Sequence, residues 1–139
     1  MQSRSFALIS TLLVAILAWA VQPAVAGDGD RFWDASGQLN GASIKAKYKE
    51  SPDNGLVDQT LEVELNNAPP NVRVGVFLNG RKIGSMVTNG FGTGHLRLAK
   101  LGNIPGPDGR PTGVRINDGD VIAVGAGTVK ISGTFKERP

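Results

Sequence analysis

The chain has 139 residues, no cysteine, one histidine and a formal net charge of +3. Without cysteine there is no disulfide framework and no thiolate metal centre, and a single histidine leaves most transition-metal sites short of ligands. Fifteen Lys/Arg against twelve Asp/Glu is too even a balance for a nucleic-acid partner, which calls for a clear cationic excess.

The N-terminus reads as a leader. Arg4 is the only charge ahead of an apolar run from Phe6 to Trp19; Gln22-Pro23 breaks the run, and Ala24-Val25-Ala26 offers the small-residue pattern that signal peptidase accepts. The pattern predicts a secretory signal over residues 1–26 and a single all-β domain over 27–139, hence an exported protein, periplasmic or secreted, with no membrane span after cleavage. An uncleaved anchor fits less well. The strongly apolar part falls short of the roughly 20 residues a spanning helix needs, and Pro23, Asp28 and Asp30 follow it closely. All 19 glycines and all but one of the prolines lie beyond the leader, a composition of short strands and many turns.

Residues 27–42 show no clean period, and Phe32 and Trp33 are expected to pack as a cap on the core. The first strand is predicted over 43–50, with Ile44, Ala46 and Tyr48 on one face and Lys45, Lys47 and Lys49 on the other, because strand side chains alternate with period two. The second, 60–65, turns Leu61, Val63 and Leu65 inward and Glu62 and Glu64 outward, so lysines should face glutamates across an antiparallel pair. Two prolines make 66–71 a loop. Val72, Val74, Val76 and Leu78 then alternate inward up to Asn79-Gly80, a type I′ hairpin signal, and the return strand spans 82–88. A glycine-dense turn carries Phe91 at its tip and leads to a strand over 95–98. Residues 101–119 lack a period, and loops of that length are often functional. Strands over 121–124 and 128–136 close the chain. About seven antiparallel strands, most with one wet face, predict a β-sandwich, with a small barrel as the alternative. Asn40-Gly41, Asn54-Gly55, Asn79-Gly80 and Asn89-Gly90 should mark the turns.

From about Leu61 to Phe135 three further pieces stand in order: Leu78-Asn79-Gly80-Arg81-Lys82-Ile83-Gly84, Gly119-Asp120-Val121-Ile122-Ala123-Val124-Gly125 and Ile131-Ser132-Gly133-Thr134-Phe135. This succession resembles a type of small exported bacterial β-module. The resemblance lies in turn chemistry and core alternation, implies the fold and brings no catalytic residue with it.

No familiar catalytic constellation is present. His95 stands at a strand start without cysteine or histidine partners and is expected to face solvent. Neither Gly-x-Ser-x-Gly nor Ser-x-x-Lys occurs. Glu62 and Glu64 lie on one wet strand face beside lysines, whereas a glycosidase sets two carboxylates across a cleft. No cofactor is called for. The one ion the residues suit is calcium, since Asp108, Asp118 and Asp120 place oxygen donors in glycine turns; Asp-Gly sequences also make turns without a metal. Arg97, Lys100, Arg110 and Arg115 bracket the long loop and are candidates to converge on a ligand, with Phe91 as an exposed aromatic; separate solvated cations are the alternative. Phe77 lies opposite Val76 and Leu78 and is expected to be covered. The expected function is non-catalytic binding of an extracytoplasmic protein or polysaccharide. The alternatives are an enzyme acting on a sugar or phosphate through Asp118 and Asp120, and a structural subunit assembling through sheet edges; Lys130 and Lys136 look like guards against such edge pairing.

Overall fold

A computed structural model describes residues 29–139, so the leader read over 1–26 lies outside the described residues. Nine strands follow one another: β1 Arg31–Leu39, β2 Ala42–Asp53, β3 Leu56–Asn66, β4 Arg73–Leu78, β5 Arg81–Val87, β6 Gly94–Asn103, β7 Val121–Ala126, β8 Val129–Thr134 and β9 Lys136–Glu137. They form two antiparallel sheets, β6-β3-β2-β1-β9 and β5-β4-β7-β8, which do not close into a barrel. The β-sandwich is as predicted, with two strands more than the seven expected.

Alternation explains most of it. Ile44, Ala46 and Tyr48 of β2, Leu61, Val63 and Leu65 of β3, and Val74 and Val76 of β4 all point into one core with Ile122, Val124, Ile131 and Phe135. Each large aliphatic buried in this way contributes about 1.5–3 kcal/mol. Lysines meet glutamates as the pattern required, Lys45 opposite Glu64 and Lys47 opposite Glu62. The register extends that second pair across the whole sheet: Lys136, Asp34, Lys47, Glu62 and Arg97 stand side by side on five strands with alternating sign. Such exposed pairs are worth at most about 1 kcal/mol apiece; what the row fixes is register, since a slip of one residue would bury it.

The two additional strands are β1 and β9. Trp33, expected in a cap, is 1% exposed within the core, with Ala35 the next inward residue of β1. The strand had no visible period because its next inward position is Gly37, where a Cβ would overlap the carbonyl oxygen of Ser132 in β8. Gly133 meets β1 reciprocally, its added Cβ falling 2.5 Å from the Ser36 carbonyl oxygen. Small residues here let the two sheets touch backbone to backbone. The chain then changes sheet at Phe135, which separates β8 from β9 and is itself buried.

The connections divide between two ends. Asn40-Gly41, Asn54-Gly55 and Asn79-Gly80 have both residues at φ between 50° and 86°, the left-handed pair that a type I′ hairpin requires. At Asn89-Gly90 the side chain builds the turn, Asn89 Oδ1 accepting from the Phe91 and Thr93 amides at 2.9 and 3.0 Å. Phe77 is covered by Lys130, whose ammonium lies 4.7 Å from the ring centre.

Candidate functional site

The long connection between β6 and β7 begins at a bulge. Val57 pairs with Asn103 but Gln59 with Lys100, so Leu101 and Gly102 stand opposite Asp58 alone. Gly102 takes φ 71° there and donates its amide to Asp58 Oδ1 at 2.8 Å, the arrangement in which a bulge re-aims the following side chain. That side chain is Asn103, buried, with Nδ2 donating to the Val57 and Lys100 carbonyls at 2.9 Å each. Leu101 is thrown outward in exchange and is 70% exposed.

Residues 104–112 then make a small hairpin of their own. Thr112 donates to the Ile104 carbonyl and Gly106 to the Arg110 carbonyl, with Pro105 bridged to Pro111. Arg110 leaves this hairpin for the interior. Its Nε donates to Glu50 Oε1 at 3.0 Å, and Nη2 donates to Glu50 Oε2 at 2.8 Å and to the Ile116 carbonyl at 2.6 Å. Nη1 reaches Asn117 Oδ1 at 2.7 Å, and the guanidinium carbon lies 4.4 Å from the centre of the Trp33 ring. The network continues through Tyr48, whose hydroxyl donates to Glu50 Oε2 at 2.6 Å and accepts from Gln59 Nε2 at 2.7 Å. Gln59 also donates to the Val114 carbonyl at 2.8 Å. Two strands and both halves of the loop are therefore joined through one ion pair, whose side chains are 10% and 3% exposed.

The electrostatics agree with the geometry. Burial by itself would lower the Arg110 pKa, but the hydrogen bonds and charge of Glu50 outweigh it and hold the guanidinium above its ordinary value. Burial raises the Tyr48 pKa well above the usual phenol range, and donation to Glu50 raises it further. Asp108 is shifted the other way, chiefly by accepting the Arg110 amide and then by Arg115, whose Nη1 lies 2.9 Å from it.

These anchors decide where the sequence candidates stand. Arg110 is inside and fully engaged, serving the loop rather than the surface. Lys100 and Arg115 come together on the rim of a shallow groove of about 210 Å³ between the β5 and β6 edges, lined by Leu78, Ile83, Leu98 and Val114. Arg97 lies apart on the outer sheet face, 3.5 Å from Glu62. Phe91, 90% exposed, sits in the β5–β6 turn at the opposite end. Asp118 and Asp120 build turns: Asp118 Oδ1 accepts the Glu137 amide at 2.7 Å, and Asp120 Oδ2 accepts the Asn117 amide at 2.8 Å. Asp108 accepts from Arg110 elsewhere in the loop. Among the described residues no three His, Cys, Asp or Glu side chains gather as metal ligands. His95 is exposed on the outer face, opposite Glu64.

What residue-type reasoning missed is the aliphatic character of this end. Ile104 is 69% and Val114 79% exposed, alongside Leu101. It also missed the polar core below them, although a signal was there. Glu50 and Gln59 share the inward parity of Tyr48 and Leu61 and are cross-strand partners. Two such residues on an apolar face announce a cation from elsewhere in the chain, because a buried carboxylate needs one.

No protein-family model, no curated protein and no solved structure matches the chain.

Proposed function

We propose that this is an exported, non-catalytic binding module whose loop end takes an extracytoplasmic protein partner. The observation that carries the reading is the Arg110–Glu50 tie. A loop held from inside by a buried ion pair keeps its outer residues in fixed positions, and those outer residues are Leu101, Ile104 and Val114 beside Lys100 and Arg115. Exposed aliphatics on a preorganised frame, rimmed by charge, suit a protein surface, since little ordering entropy remains to be lost on binding. A polysaccharide is less well served, because none of these outer residues is aromatic, and the most exposed ring, Phe91, lies at the opposite end.

The test is site-specific crosslinking in the cell that makes the protein, from the full sequence with residues 1–26 in place. A photoreactive residue at Val114 should give a discrete protein adduct in the extracytoplasmic fraction, while the same residue at Lys45 on the outer sheet face should not. Equal labelling at both positions, no adduct at Val114, or retention of the chain in the cytoplasm would each overturn the reading.

A further inference from the structure

Four strands stand at sheet edges, β6 and β9 in one sheet, β5 and β8 in the other. An edge strand leaves a row of amides and carbonyls without ladder partners, and folds blunt such edges by shortening, bulging or covering them. Three of the four are treated in this way. β9 has only two residues. β8 is abutted by β1, backbone to backbone, at Gly37 and Gly133. β5 is broken by a register shift opposite Val76 and Phe77.

β6 differs. It is ten residues long, contains no proline, and holds an unbroken register on β3 from Gly94 to Lys100 before its bulge. Among the described residues, the backbone of residues 95–99 pairs with β3 and with nothing else. A further strand can therefore add to it, the backbone supplying a ladder and the side chains the selectivity.

The side chains of β6 state what that strand must carry. On the outer face the row Lys136, Asp34, Lys47, Glu62, Arg97 alternates in sign and stops at the edge on a cation, so the next position calls for a carboxylate. On the inner face Leu98 lines the groove with Leu78 and Ile83. Lys100 follows it, with Nζ placed where a Cβ on Gly113 of the loop would lie 3.5 Å away. Beside His95, Arg97 and Lys100 the strand has no acidic residue. A second copy of the chain is thus a poor occupant, because β6 against β6 opposes cations to cations in any register.

We infer that the partner proposed above meets this end with an extended acidic segment, added to β6 as a further antiparallel strand, an inference that rests on that reading. The segment sets a carboxylate opposite Lys100, an apolar side chain opposite Leu98 in the groove, and a second carboxylate opposite Arg97. Read along the added strand, the order is acid, any residue, apolar, acid.

The probe is the capped heptapeptide TETVEVT, whose glutamates fall opposite Lys100 and Arg97 and whose first valine falls opposite Leu98. It is titrated into isotope-labelled protein expressed from the full sequence, with TKTVKVT and polyphosphate as comparators. TETVEVT should slow hydrogen exchange at alternate amides between Leu96 and Lys100, the mark of a new ladder. TKTVKVT should bind about tenfold or more weakly, and Arg97→Glu with Lys100→Glu, folded by circular dichroism, should reverse that order. The inference is overturned if TETVEVT protects none of those amides, if TKTVKVT binds equally well, if the double variant keeps the parent's preference, or if polyphosphate binds and the peptide does not. In the cell, the adduct at Val114 should disappear in the double variant. An adduct that persists there overturns the strand addition and leaves the partner surface standing, whereas a parent protein that takes the peptide but gives no Val114 adduct removes the partner reading alone.

Discussion

Arg110→Leu removes a guanidinium whose side chain is 10% exposed and strands Glu50, 3% exposed, inside the protein. Breaking a buried pair from one side costs about 3–5 kcal/mol, because the remaining charge keeps its desolvation penalty and loses its compensation. The Ile116 carbonyl, in a buried bond, and Asn117 Oδ1, in a partly buried one, also lose their donor, which adds at least about 1 kcal/mol. For a domain of this size a loss of roughly 4 kcal/mol lowers Tm by about 15 °C. The double variant Glu50→Leu with Arg110→Leu removes the stranded charge. It should recover most of the loss, leaving a deficit of about 1–2 kcal/mol from the untied loop and the vacant Tyr48 hydroxyl. Urea denaturation followed by far-UV circular dichroism, arranged as a double-mutant cycle, measures all three. The account is refuted if Arg110→Leu costs no more than an exposed pair, about 1 kcal/mol, or if the double variant is as unstable as the sum of the singles.

Tyr48 is the chain's only tyrosine, so its ionisation can be followed by ultraviolet absorbance without interference. Its pKa is raised above the ordinary 10.0 by burial and by Glu50, so the folded state keeps a proton that the unfolded chain releases near pH 10. The stability this provides is fully present below that pH and is lost as pH rises from there towards the folded pKa; phenolate appearing at the ordinary value with the fold intact would contradict it. Gly37→Ala forces a methyl into the Ser132 carbonyl and should cost about 1–3 kcal/mol or more, read as a lowered urea midpoint; an unchanged midpoint would mean the sheets do not touch there. Asn79→Ala with Gly80→Ala replaces an asparagine that tolerates φ 50° and adds a Cβ at φ 83°, where an ordinary side chain costs about 1–2 kcal/mol, and also removes the Asn79 Oδ1 bond from the Val121 amide. Unchanged thermal stability would rule out the type I′ turn.

Much of this architecture was legible because the core strands state their own faces. Ile44-Lys45-Ala46-Lys47-Tyr48 and Leu61-Glu62-Val63-Glu64-Leu65 give strand, inward face and pairing partner at once. The first strand was silent because its inward positions are filled by Trp33, Ala35 and Gly37: one large side chain, one small and none, which no hydropathy period registers. The loop end was harder for another reason. Arg97, Lys100, Arg110 and Arg115 are equivalent as loop cations, and only the third dimension separates the one that enters the core from the two that share a rim and the one that pairs with Glu62 on the outer sheet face. Glu50 and Gln59 carried the missing information, since their parity places two polar groups where apolar ones belong. The exposed aliphatics Leu101 and Ile104 owe their position to a bulge, and a bulge leaves only a glycine as its trace.

The two long sides of the sandwich are joined differently. Along β1 and β8 the sheets meet backbone to backbone at Gly37 and Gly133, and the chain itself crosses between them at Phe135. Along β5 and β6 the contact runs through side chains, Leu96 against Gly84 and Met86 against Gly94. Peptide groups in contact have no rotamers to change, whereas leucine and methionine have several. The domain is therefore built like a bound book, with a stiff spine at β1–β8 and a fore-edge at β5–β6 where small separations cost least. Lys100 lies on that fore-edge and Arg115 on the loop tied by the Arg110–Glu50 pair, so the groove between them has one wall able to adjust and one held in place.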